Sequence, residues 1–120
     1  MQYEYFYGAQ AEQFSFYRIP KALFTEPNFR ELSTDAKVLY GILLDRMSLS
    51  LKNQWLDAQN KVYIIFTVDE IMDALNCANQ KATRLMVELE KQAGLIERKR
   101  QGLGLSLIHI SEPTRLALIS

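Results

Sequence analysis

Residues 67–102 constrain the fold more than any other part of the chain. "TVDEIMDALN" and "NQKATRLMVELEKQAGL" are two short amphipathic stretches parted only by a break at Asn76 and Cys77. Thr67 with Glu70 three residues on is a capping box, which fixes where the first helix starts. Ile71, Met72 and Leu75 give it a buried side. In the second, Ala82, Leu85, Met86 and Leu89 recur at the helical period, and Gly94 stands where a left-handed C-terminal residue belongs. "LIERKRQGLG" then reads as a strand over residues 95–100, running into turn glycines at Gly102 and Gly104. Two short helices, a tight break and a strand with a glycine turn predict a helix-turn-helix with the start of a wing. The fold class that follows is mostly helical α+β with a small antiparallel sheet.

The upstream half supplies the support. "LSTDAKVLYGILLDRMSLS" is the clearest helix, with Ser33 as N-cap and Asp35 in the first turn, where the helix dipole favours an anion. Ala36, Leu39, Tyr40, Leu43 and Met47 form one apolar face. Gly41 within it marks a close helix crossing. Asp57 and Asn60 are turn formers, and residues 62–66 favour a strand. Trp55 reads as a core plug. Pro20 suits the first turn of a short helix over residues 21–25. Residues 1–19 are an arm dense in aromatics: Tyr3, Tyr5, Phe6, Tyr7, Phe14, Phe16 and Tyr17. Such an arm packs either on its own core or on a second subunit.

Overall charge is zero, which argues against a simple polybasic binder. Its distribution is uneven. Residues 1–78 carry seven basic and ten acidic side chains, a net of −3, whereas residues 79–104 carry six basic and three acidic, a net of +3. A lone cysteine, Cys77, excludes an internal disulfide and suggests a reducing compartment. The opening residues do not resemble a secretion signal, and no apolar run nears the ~18 residues of a membrane span. The expected location is cytoplasmic.

The basic region fits DNA. A helix of this kind matches a major groove, with its first turns toward base edges. Asn79 and Gln80 are suited to adenine and Arg84 to guanine, while Lys81 and Lys91 lie off the buried stripe, Lys81 within reach of phosphate. Arg98, Lys99 and Arg100 on the wing strand are placed for sugar-phosphate or the minor groove. The competing reading is the solvated face of an ordinary amphipathic helix beside a charged strand. Catalysis has little support. Cys77 lacks a histidine partner, and Asp69, Glu70 and Asp73 sit in a capping turn where acids are expected for structural reasons. Neither a phosphate loop nor metal-ligand spacing is visible, so no enzyme activity and no cofactor are expected.

"FYRIPK", "LSTDAKVLYGILLDRMSLS" and "VYIIFT" closely resemble the N-terminal domain of the replication initiator protein A family of plasmids and related mobile elements, over about residues 14–104. The resemblance implies a winged-helix domain that recognises repeats at a replication origin, a likeness to the N-terminal domain of DnaD-type primosome proteins, and a tendency to form homodimers. It implies a C-terminal domain, absent from this chain, through which full-length members engage host replication proteins. It also puts the recognition helix on residues 79–92 and the start of the wing at Leu95. Two other readings stay open beside it: a winged-helix transcriptional regulator, and a primosome-type protein-interaction domain.

"LSLIHISEPTR", residues 105–115, departs from that resemblance. The family pattern leads to expect a basic turn and a second wing strand after Gly104. This string instead resembles a translated transposase-end sequencing adapter. The expected organisation is therefore an arm over residues 1–19, a winged-helix domain over 20–104 with an incomplete wing, and a non-native tail over 105–120. His109, the single histidine, would be neither ligand nor base. The tail's β propensity predicts pairing of residues 105–110 antiparallel to residues 95–100, with little effect on the helical core if it is removed.

Overall fold

The computed structural model describes residues 2–8, 15–102 and 105–113. Phe14, Leu103, Gly104 and residues 114–120 lie outside the described residues, as does the loose attachment expected for the chain end. The element order is α1 (Ala22–Thr25), a 3₁₀ turn (Pro27–Phe29), α2 (Thr34–Lys52), β1 (Ile64–Thr67), α3 (Val68–Leu75), α4 (Asn79–Val87), a π turn (Glu88–Gln92), β2 (Ile96–Gly102) and β3 (Leu105–Ile110). This is the α+β winged-helix-like arrangement that the helix pair and strand anticipated.

Local chemistry sets the helix boundaries. The Ser33 hydroxyl accepts from the Ala36 N–H and caps α2. That helix continues past Ser48 to Lys52, exposing Leu49 and Leu51. The Thr67–Glu70 capping box is present in both directions, and Asn76 ends α3 in the left-handed region at φ 53°. Gly94 follows the π turn at φ 65°. Ala36, Leu39, Tyr40 and Leu43 from α2 meet Ile71 from α3 and Ala82, Leu85, Met86 and Leu89 from the α4 segment in one buried cluster. Met47, Met72 and Leu75 pack on its rim.

Gly41 marks a close approach of a different kind from the one expected. A Cβ there would lie 2.9 Å from the Arg18 carbonyl oxygen and from the Ile19 side chain. The neighbour is the segment entering from the arm, not another helix. Trp55 is also corrected: it is partly exposed and stacks on Tyr63 with ring centroids 6.2 Å apart, so it plugs nothing. Its loop is organised by Asp57, whose Oδ1 accepts from the N–H groups of Gln59 and Lys61, and a bridge pairs Leu56 with Val62.

The sheet holds the largest correction. Its order is β1-β3-β2, all antiparallel. Residues 105–110 do lie antiparallel to the wing strand, as expected, but they also pair with β1. Ile64 and Arg98 flank Ile108 from opposite sides. The segment expected to be peripheral is the middle strand. Ile108 is fully buried, joined on the inner face by Ile64, Phe66 and Ile96. Tyr40 Oη donates to the Ser111 carbonyl at 2.6 Å. Burial, with the Glu112 charge adding, pushes that phenol up to about 12. The described wing thus has both strands, and this placement ties residues 105–110 to the core through Ile108 rather than leaving them at its edge. Period-2 alternation puts Ser106 and Ile108 inward and Leu107 and His109 on the reverse face. Because both faces carry apolar residues, the alternation gave no clear sign of a buried side.

Candidate nucleic-acid interface

The face that α4 leaves open is a stripe of residues three and four apart: Asn79, Gln80, Thr83, Arg84, Val87 and, on the π turn, Lys91. Ala82, Leu85, Met86 and Leu89 hold the other side in the core. Asn79, Gln80, Arg84 and Lys91 are therefore together on one exposed surface, as the sequence implied. Thr83 and Val87 complete it and were missed, although they stand four and eight residues after Asn79, a spacing that would have placed them there.

Lys81 lies on the flank of this stripe. Its Nζ sits 2.8 Å from Asp35 Oδ2 in the first turn of α2. A second tie runs alongside. Glu88 accepts from the Ser33 N–H and from the Ser33 hydroxyl, each at 2.9 Å. Lys81 and Glu88 are two helical turns apart, so the start of α2 is braced against α4 at both ends of that interval.

The wing cations separate into three environments. Arg98 is turned inward, its guanidinium donating twice to Glu90 Oε1, at 3.1 and 2.8 Å, with only about a tenth of the side chain exposed. Burial alone would raise the Glu90 carboxyl. The hydrogen bond and charge of Arg98 outweigh it and hold Glu90 below the usual carboxylate range. Arg98 joins helix to wing here and does not present itself to solvent as expected. Arg100 is exposed and lines a cleft of about 200 Å³ between α4 and the wing, with Val68, Thr83 and Ser106. Lys99 lines another cavity, of about 570 Å³, with Asp57, Lys61, Glu97 and His109. Arg98 also borders the cleft that Arg100 shares with the open face of α4, but it is tied to Glu90, which leaves Arg100 as the exposed cation there. His109 Nε2 meets Asp57 Oδ2 at 2.8 Å, so the histidine anchors the 53–63 loop to the sheet.

The far side of α3 is acidic. Arg46 pairs with Glu70, lies over the Phe66 ring and lines a cleft with Asp45 and Asp73. Desolvation would raise Glu70, but Arg46 and the Thr67 N–H bring it below its ordinary range. The molecule is thus polarised, cationic and amide-rich along α4, anionic behind it. Among the described residues there is no group of three or more His, Cys, Asp or Glu side chains able to hold a metal ion, and no helix long and apolar enough to cross a membrane.

Residues 15–118 match the family model for the replication initiator protein A (RepA) N-terminus. The chain belongs to the RepA N-terminal family. The matched range runs through β3. A 41 kDa protein of Lactobacillus helveticus is 33% identical over 87 residues, 72% of this chain and 24% of that protein. This RepA N-terminal chain therefore spans about a quarter of that relative. Solved structures agree. An N-terminal domain of a DNA-binding protein is 36% identical with TM-score 0.74, covering 93% of this chain and 86% of that one. An MDR initiator is 39% identical, TM-score 0.74, covering 92% and 87%. A Rep–DNA complex is 36% identical, TM-score 0.74, covering 92% and 85%.

Proposed function

We propose that this domain is the DNA-binding module of a plasmid or mobile-element replication initiator and that it reads repeats within an origin. The observation that carries the reading is the open face of α4. Adenine-suited amides at Asn79 and Gln80 and a guanine-suited Arg84 stand together on it, with Arg100 across the adjoining cleft. Family membership and the likeness to a Rep–DNA complex support it. The role is binding, with no catalysis and no cofactor, in the cytoplasm. Engagement of host replication proteins belongs to other parts of a full-length initiator.

A homodimer is part of the proposal. Tyr5, Tyr7, Phe16 and Tyr17 are each more than half exposed, so these described aromatics keep surface that a second subunit could cover. Deleting residues 1–11 is expected to convert a dimer to a monomer in sedimentation, and an unchanged mass would reject the arm as the interface.

The DNA reading is tested by titrating a duplex of the cognate origin repeats at increasing salt. Affinity is expected to fall steeply. Arg84→Ala should cost about 1–3 kcal/mol at selected base pairs, and Arg100→Ala should weaken all sequences and flatten the salt slope by about one unit. Weak, salt-insensitive binding would reject the reading in favour of a protein-interaction domain. Preference for a promoter over origin repeats would favour a transcriptional regulator.

A further inference from the structure

We infer that Asp35 is an affinity-limiting residue for DNA, acting by holding Lys81 away from the phosphate backbone. The inference rests on the DNA reading above. Two independent contacts carry it. The first is the Lys81–Asp35 pair at 2.8 Å, formed between the flank of α4 and the first turn of α2. The second is the Ser33–Glu88 clamp, which pins that same turn of α2 to α4. The turn that carries Asp35 is therefore held close to Lys81.

A helix about 10–12 Å across nearly fills a major groove about 12 Å wide, so its flanks face the sugar-phosphate walls. Lys81 occupies a flank of the open stripe. Its ammonium has two candidate partners, the Asp35 carboxylate and a phosphate. Both side chains of the pair remain about half exposed, at 43% and 52%, so the pair is weak enough for phosphate to compete with it. While Asp35 retains Lys81, one counterion-releasing contact is withheld. Limiting general affinity in this way raises the share of binding that base contacts decide, because phosphate contacts carry no sequence information. Asp35 is thus a positioning residue that sets specificity through Lys81.

The test uses the 120-residue chain, a fluorescent mixed-sequence duplex and a salt series. Asp35→Asn is expected to bind roughly 2- to 10-fold more tightly with a salt slope steeper by about one unit. Asp35→Glu should stay near wild type. In a Lys81→Ala background, Asp35→Asn should change little, because the effect runs through Lys81. Ser33 keeps the α2 cap in each variant, and circular dichroism confirms a common fold. Wild-type binding with an unchanged or weaker Asp35→Asn variant would overturn the inference and leave the DNA reading standing. An Asp35→Asn gain of equal size without Lys81 would also overturn it, since charge alone would then suffice. Failure of the wild type to bind in a salt-sensitive way would overturn both.

Discussion

The helical half and the strand half of this domain are specified in different ways. α2, α3 and α4 are fixed by side chains: a capping box, a serine cap, a left-handed asparagine and three apolar stripes that meet in one core. β3 is fixed mostly by its main chain. It has hydrogen-bonded neighbours on both sides and only one fully buried side chain, Ile108. Helix positions must therefore be the right residue, whereas the middle strand need only be extended, with an apolar group at one alternate position. That difference explains how a segment resembling a translated adapter takes the central place in the sheet. We propose that residues 105–120 are such a segment, and the uninterrupted gene sequence after Gly104 would decide it.

The strongest break of the comparison removes β3 altogether. Deleting residues 105–120 unpairs β1 and β2 together and uncovers Ile64 and Ile96. The loss is expected to be on the scale of a whole domain's stability, about 5 kcal/mol or more, with the cooperative thermal transition abolished. An intact transition would return the segment to a peripheral role.

Single side chains sharpen the contrast. Leu39→Ala or Leu85→Ala should each cost about 2–5 kcal/mol in denaturant unfolding, and Ile108→Ala should match them. Leu107→Ala, on the reverse face of the same strand, should cost under about 1 kcal/mol. A cost at Leu107 as large as that at Leu39 would show that side chains specify both faces of β3.

The smallest effect concerns the ties between the halves. Glu90 and Asp57 are both held below their ordinary range, Glu90 despite desolvation, chiefly by Arg98, and Asp57 chiefly by the Lys61 N–H and also by His109. A carboxyl depressed in the folded state contributes stability that is present above its unfolded value, about 4.3 for Glu and 3.9 for Asp. That contribution is lost as pH falls through the lower native value. Stability should therefore decline below about pH 4.3. Glu90→Gln should flatten that decline by removing the joint between α4 and the wing. A pH profile unchanged by Glu90→Gln would assign the decline to Glu70 or Asp57.

What could be read in the sequence follows the same division. The helix-turn-helix was legible because its signals are local: Thr67 and Glu70 are three residues apart, and the stripes repeat at the helical period. The open face with Asn79, Gln80, Arg84 and Lys91 followed from that period. The roles of Arg98 and Lys81 did not. Glu90 and Arg98 lie eight residues apart across a turn, and Asp35 reaches Lys81 from a distant helix, so neither pair has a spacing to recognise. Sheet order was equally hidden. A hairpin pattern states which strand β3 follows, not that β1 closes on its other edge.

Gly41 has a mechanical consequence. With no side chain there, residues 18 and 19 press directly onto the backbone of α2, so the arm leaves the domain braced against a rigid rod. About two turns nearer the start of that rod, Ser33 and Asp35 grip the α4 segment. The segment leaving the arm and the start of α4 thus bear on one helix, and the missing methyl group at Gly41 sets how closely the first of them can approach.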